Sequence, residues 1–274
     1  MESLITVRSI QMKVKRYNTG AKKKAVLLHG FTGSSKTWEE VIASLDPSIE
    51  LLTIDLIGHG ESDKPENASR YFAQEQVEDL HALIQQIGWD HFTLIGYSMG
   101  GRLALAYASK YEVDCLILES SSPGLKDEEA RIQRKSADSK LAEKILVDGV
   151  LAFTDYWEQI PLFDSQKSLS LKKQQQIREE RMSQTAIGLS NSLKGFSTGV
   201  QPSLWDKLVS LEFPVIMLTG ELDKKFCEIA KKMLAILPNA DWKIINGVGH
   251  AIHVENPKLF ATIVEDIILK EDVR

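Results

Sequence analysis

The sequence predicts an α/β protein: a mostly parallel, doubly wound sheet with an inserted helical cap. Three observations carry that expectation. Short, almost continuously apolar runs alternate with segments of helical periodicity, the pattern of parallel strands covered by helices on both faces. The alternation stops between residues 120 and 200, where charged, glutamine-rich helical stretches replace the strand-like runs. Finally, Gly96-Tyr97-Ser98-Met99-Gly100 joins an apolar run to a helix, a Gly-x-Ser-x-Gly turn that sets a serine at the tip of a sheet.

Taken in order, residues 5–17 alternate apolar and polar side chains (Ile5, Val7, then Met12, Val14), which suggests an antiparallel pair at a sheet edge. Buried parallel strands are expected at 25–28, 51–54, 92–95, 115–118, 215–218 and 242–245. Helices are expected at 38–45, 72–87, 101–111, 226–237 and 257–268. In the second of these, Val77, Leu80, Leu83, Ile84 and Ile87 recur at helical spacing and can line one buried face. The interruption contains helical stretches at 126–147 and 172–182, separated by an aromatic patch of Phe153, Tyr156, Trp157, Leu162 and Phe163. The expected organisation is an α/β core over 1–119, a helical cap over 120–200, and the rest of the core over 201–274. The charge runs of the cap read as solvated faces, and its aromatic patch reads as packing before substrate contact.

With 274 residues, 43% of them hydrophobic, the chain can bury one large core. A net charge of -5 argues against nucleic acid as a partner. No signal peptide is visible at the start and no apolar run reaches membrane-spanning length, so the expectation is a cytoplasmic protein, monomeric or weakly homo-oligomeric, with no membrane partner. Cys115 and Cys227 form no Cys-x-x-Cys pair and read as buried reduced thiols, with a single disulfide as the alternative.

Ser98 needs an imidazole to take its proton and a carboxylate to orient that imidazole. Two loops after late strands supply them: Gly220-Glu221-Leu222-Asp223 and Gly247-Val248-Gly249-His250. In an open parallel sheet both loops lie at the strand ends where Ser98 stands. Asp223, further out from its strand, is favoured over Glu221. His253 is a rival base, and His250, His253 and Glu255 could instead bind a metal, but no additional Cys/His cluster accompanies them and none is expected. His81 and His91 read as structural, and His59 as a residue that shapes its loop. The run His29-Gly30-Phe31-Thr32-Gly33 follows the first buried strand, and the backbone N–H groups of Phe31 and Met99 would supply two donors to an oxyanion. It lacks the Gly-Lys-Ser/Thr ending of a phosphate loop.

Together these features resemble the α/β-hydrolase superfamily over essentially the whole chain. A narrower resemblance is to the 2-succinyl-6-hydroxy-2,4-cyclohexadiene-1-carboxylate synthase family. It is carried by Gly101-Arg102 after the elbow, Ser122-Pro123-Gly124-Leu125 with Arg131 and Arg134, Arg181, residues 199–205, Gly220-Glu221-Leu222-Asp223-Lys224-Lys225-Phe226, and residues 250–257. The resemblance implies a small polycarboxylate substrate, no cofactor and no acyl-enzyme, with Ser98, His250 and Asp223 abstracting a proton and pyruvate leaving. It matches Arg102, Arg134 and Arg181 to the family's substrate-binding arginines, Arg131 being the less favoured of its pair. Tyr97 and Trp157 fall at or beside positions lining the family's pocket. The chemistry agrees, since guanidinium groups bind carboxylates through charge-assisted, often bidentate bonds. A carboxylesterase, thioesterase or carbon-carbon bond hydrolase using Ser98 as nucleophile remains the competing activity, and a non-catalytic ligand-binding protein the less favoured reading.

Overall fold

The computed structural model describes residues 1–270. Eight strands make one sheet: β1 (Glu2–Val7), β2 (Ile10–Tyr17), β3 (Lys23–Leu28), β4 (Ile49–Ile54), β5 (Thr93–Tyr97), β6 (Cys115–Glu119), β7 (Val215–Gly220) and β8 (Ala240–Ile245). Their spatial order is β1-β2-β4-β3-β5-β6-β7-β8. The first hairpin pairs antiparallel and joins β4 antiparallel; every later pairing is parallel. The crossovers run through α1 (Glu39–Ile42), α2 (Ala73–Ile87), α3 (Met99–Ala108) and α7 (Lys224–Leu234), and the chain finishes with α8 (Ile252–Glu255) and α9 (Pro257–Lys270). Between β6 and β7 lie α4 (Glu128–Trp157), α5 (Leu171–Met182) and α6 (Ala186–Phe196).

The alternation of strand side chains decides which helix covers which face. In β3, Val26 and Leu28 join a core with Leu80, Leu83 and Leu103 of α2 and α3. Ala25 and Leu27 point the other way, into a core with Val41 of α1 and Phe260 and Val264 of α9. The stripe of α2 is buried at Val77, Leu80, Leu83 and Ile84, as its spacing predicts. Asn256 accepts from the Leu259 N–H, and Pro257 starts α9 where a missing N–H costs nothing.

Three expectations need correction. β8 is an edge strand paired with β7, and half of it is exposed, Ile244 to 47%. A run of apolar residues reports that a strand can be covered, but position in the sheet decides whether it is. The helix expected at 38–45 is a 3-10 turn, Ser35–Trp38, followed by the single turn of α1. Cys115 and Cys227 form no disulfide among the described residues, as expected of reduced thiols, but Cys227 is half-buried rather than buried, on α7, where its thiol donates to Thr219 Oγ1 and the Gly220 carbonyl.

The inserted helices have a small core of their own, in which Ala142, Ile145 and Phe153 of α4 meet Leu189 and Leu193 of α6. α6 carries no long charged signature and is not foreseen from the sequence. Gly149 (φ 82, ψ 173) breaks α4, and beyond the break Phe153 and Trp157 meet Phe31 of the loop after β3. Glu180 of α5 accepts from both the N–H and the hydroxyl of Ser34 at 2.8 Å, which seats these helices on the loop after β3. Among the described residues no helix is long and apolar enough to cross a membrane.

Candidate active site

Ser98 stands between β5 and α3 with φ 49 and ψ -104, a conformation that non-glycine residues rarely adopt. The flanking glycines make it possible. A Cβ on Gly96 would lie 2.5 Å from the Gly100 carbonyl oxygen, and one on Gly100 would lie 2.3 Å from that of Leu28 and 2.5 Å from that of His29. The elbow therefore rests directly on the backbone that leads into the Phe31 loop.

Asp223 caps α7, accepting from the Phe226 N–H through Oδ1. Its Oδ2 is left for His250 Nδ1 at 2.6 Å, and His250 Nε2 lies 3.0 Å from Ser98 Oγ. With Nδ1–H donated to the carboxylate, Nε2 is the acceptor that faces the serine. The imidazole is 1% exposed and is packed by the rings of Phe226 at 4.7 Å, Tyr97 at 5.3 Å and Phe163 at 6.2 Å. Residues separated by 152 positions are thus brought within one hydrogen bond.

The backbone N–H of Phe31 and that of Met99, the first residue of α3, have no hydrogen-bond partner among the described residues. The Phe31 loop is held by His29, which donates through Nδ1 to the Gly30 carbonyl and accepts at Nε2 from the Leu56 N–H. His59 shapes the neighbouring turn: its Nδ1 bonds the Ile57 carbonyl, and burial, then the nearby His29, pull it down to about 3, so it is neutral.

The rival residues are engaged elsewhere. Glu221 accepts from the Gly247 N–H. His253 is fully buried against Glu119, with Nδ1 at 2.9 Å and its backbone N–H at 3.0 Å, and its Nε2 meets Thr37. Glu255 is held by Ser165 and the Gly249 N–H. Among the described residues no group of three or more His, Cys, Asp or Glu is arranged to hold a metal ion.

Ser98 and His250 open into a cavity of about 760 Å³. Its apolar walls include Phe31, Trp157, Leu162, Phe196, Trp205 and Phe226. Among the described residues, five cations line it, Arg102, Lys126, Arg134, Lys225 and Lys232, and no Asp or Glu does. In a protein of net charge -5, such a lining selects anions. Arg102, one turn beyond Ser98, donates to the Phe196 carbonyl at 2.8 Å and to Gln201 Oε1, and lies over the Phe196 ring. Burial, then the like charge of Arg134, pulls its guanidinium down to about 9, which leaves it charged at neutral pH. Arg134 pairs with Asp138 at 2.7 Å through Nε alone.

Two matched residues are not on this wall. Arg181 is 6% exposed, donates to Gln166 at 3.0 Å and lies 4.7 Å over the ring of Phe163. A break at Phe163 in the 3-10 segment Pro161–Ser168, which precedes α5, puts that ring against both Arg181 and His250. Tyr97 lies beneath the site, its ring against Gly30 and between His250 and His253; burial, then the Glu119 charge, pushes its hydroxyl well up. Trp157 is on the wall, edge-on to Phe31 at 5.5 Å. Sequence reasoning missed Lys126, Lys225 and Lys232. For the two lysines of α7 the signal is the 4-3 spacing of Lys225, Ile229 and Lys232 along that helix, all of which line the cavity; Lys126 carries no such signal.

The α/β hydrolase fold family model matches residues 26–257. The chain belongs to the α/β-hydrolase fold family. Within it, the chain is 45% identical over 90% of its length to a Bacillus subtilis protein provisionally named 2-succinyl-6-hydroxy-2,4-cyclohexadiene-1-carboxylate synthase, covering 91% of that protein. It is 31% identical to the Serratia proteamaculans enzyme of the same name, over 89% of this chain and 92% of that one. The solved structure of MenH from S. aureus superposes with a TM-score of 0.90 at 35% identity, covering 95% of this chain and 98% of that one. The synthase branch of the hydrolase fold is the one to which these relatives attach the chain.

Proposed function

We propose that this chain is a 2-succinyl-6-hydroxy-2,4-cyclohexadiene-1-carboxylate synthase, a carbon-oxygen lyase of menaquinone biosynthesis. Its substrate is 2-succinyl-5-enolpyruvyl-6-hydroxy-3-cyclohexene-1-carboxylate, which carries three carboxylates, and pyruvate is expelled. The observation that carries the reading is a cavity lined by cations and, among the described residues, by no carboxylate, opening on a hydrogen-bonded Ser98-His250-Asp223 triad. An esterase for neutral acyl groups has no use for that lining, and uncompensated charge at a cavity costs stability unless a ligand answers it.

In this mechanism His250 Nε2 takes the Ser98 hydroxyl proton while Asp223 holds the imidazole, and the serine oxygen removes the ring proton next to the succinyl ketone. The resulting enolate oxygen sits between the Phe31 and Met99 amides. Each such donor contributes about 3 kcal/mol to transition-state stabilisation. Electrons then pass through the ring alkene and break the bond to the enolpyruvyl oxygen, releasing pyruvate. Arg102 and Arg134 hold carboxylates, with Trp157 against the ring. No step calls for a metal or an organic cofactor. We place the reaction in the cytoplasm, where two cysteines outside any disulfide stay reduced, and assign the protein as a monomer or weak homo-oligomer.

The test is pyruvate release from the enolpyruvyl substrate made in situ, followed by a lactate dehydrogenase couple. Enzyme-dependent release, with Arg102→Ala losing most of the activity, supports the reading; no release rejects it. Burst kinetics with an acyl group attached to Ser98 would instead assign hydrolysis.

A further inference from the structure

Asp223 fixes the His250 ring, but the backbone that carries the ring lies in the loop between β8 and α8, and a site is only as precise as the shell that supports it. Gly249, the residue before His250, donates its N–H to Glu255 Oε2 at 2.8 Å. Glu255 Oε1 accepts from Ser165 Oγ at 2.9 Å. Glu255 belongs to α8, whereas Ser165 belongs to the 3-10 segment Pro161–Ser168 of the insertion between β6 and β7. One carboxylate thus joins the loop of the base to the inserted segment.

The approach is close as well as polar. A Cβ on Gly249 would lie 2.0 Å from Ser165 Oγ and 2.8 Å from Ser165 Cβ, so the inserted segment rests directly on the residue before His250. Two residues earlier in that segment, the Phe163 ring lies 6.2 Å from the His250 ring. One residue later, Gln166 accepts from Arg181 of α5 at 3.0 Å. The segment therefore reaches His250 twice, at its ring through Phe163 and at its backbone through Ser165 and Glu255.

We propose that Glu255 is a positioning residue for proton abstraction, through which the inserted segment 161–168 holds the His250 loop in register with Ser98. Glu255 acts on Gly249, and Ser165 acts on Glu255, so the base is fully aligned only while the insertion is seated on the core. The assay by turnover rests on the synthase reading; the alignment itself concerns Ser98 and His250 alone.

Two readouts test it. In pyruvate release, E255A should lose about a hundredfold in kcat, the cost of a misplacement of about 1 Å, with KM changed less than about twofold. E255Q, whose amide oxygen still accepts from Gly249 and whose NH₂ can donate to Ser165, should rescue kcat to within about fivefold of wild type. S165A removes one half-buried hydroxyl from a folded protein and should lower kcat about tenfold at unchanged KM. S165A/E255A should be no slower than E255A, because the two residues act along one path. Without any substrate, hydrogen exchange at the Gly249 amide, followed by NMR in isotope-labelled protein, should speed up about tenfold in S165A and E255A but not in E255Q. The proposal is overturned if S165A lowers Tm while kcat and Gly249 exchange stay at wild-type values, if the E255A loss falls in KM, or if E255Q is as slow as E255A. Should the wild type release no pyruvate, the synthase reading fails, and the exchange rates still decide whether the inserted segment holds the His250 loop.

Discussion

Gly100→Ala tests how the elbow and the oxyanion loop depend on each other. The added Cβ would lie 2.3 Å from the Leu28 carbonyl oxygen and 2.5 Å from that of His29, whereas real Cβ contacts essentially never fall below 3.0 Å. Both neighbours are backbone, and Leu28 ends a strand paired on both sides, so neither can swing aside. The start of α3 must therefore retreat from β3 by about 0.7 Å, the difference between 3.0 and 2.3 Å. That movement separates the Met99 amide from the Phe31 amide, because the first rides on α3 and the second on the loop after β3. A misplacement of about 1 Å in a catalytic arrangement costs on the order of a hundredfold in rate. Overpacking of this kind also costs about 1–3 kcal/mol of stability. The expected result is kcat/KM for pyruvate release reduced about a hundredfold, with the near-ultraviolet circular dichroism of a folded protein and a lowered Tm. A folded variant with kcat/KM within a few-fold of wild type would refute the argument that close approach at Gly100 sets the donor spacing.

Two further outcomes are expected. Asp223→Asn keeps a hydrogen-bonding side chain beside His250 but presents the wrong partner to Nδ1, so kcat should fall on the order of 10³–10⁴-fold with KM little changed; a drop below tenfold would remove Asp223 from the orienting role. Buried His59 has a folded pKa near 3 against 6.5 in the unfolded chain, so its neutral form supports stability fully above pH 6.5 and the support is lost as pH falls toward 3. At pH 5 the loss is about 2 kcal/mol. Urea unfolding at pH 7.5 and 5.0 should show that slope, and His59→Asn should reduce it by about the same amount. An unchanged slope in the variant would place the acid sensitivity elsewhere, His29 being the next buried imidazole.

What was legible in the chain beforehand was written in local patterns. Strand-helix alternation foretold the sheet and its crossovers, because each element must bury a face of fixed period. The elbow could be read because its steric demand falls on two glycines within five residues. The loops holding Asp223 and His250 followed from the rule that open parallel sheets place their sites at the carboxyl ends of strands. Illegible were the features that depend on which surfaces meet. Lys225 and Lys232 look like ordinary solvated lysines until α7 is seen to border the cavity. Likewise, His253 is a credible base until Glu119, 134 residues earlier, is found against it.

The sequence by itself therefore determined an α/β-hydrolase sheet, a strained serine on its edge, and the order in which acid and base follow. These depend on backbone sterics and short-range periodicity. Only the tertiary structure decided that β8 is a half-bare edge, that Arg181 and Tyr97 lie off the cavity wall, and which cations line it. Burial and charge compensation are set by neighbours distant in the chain, and no local pattern encodes them.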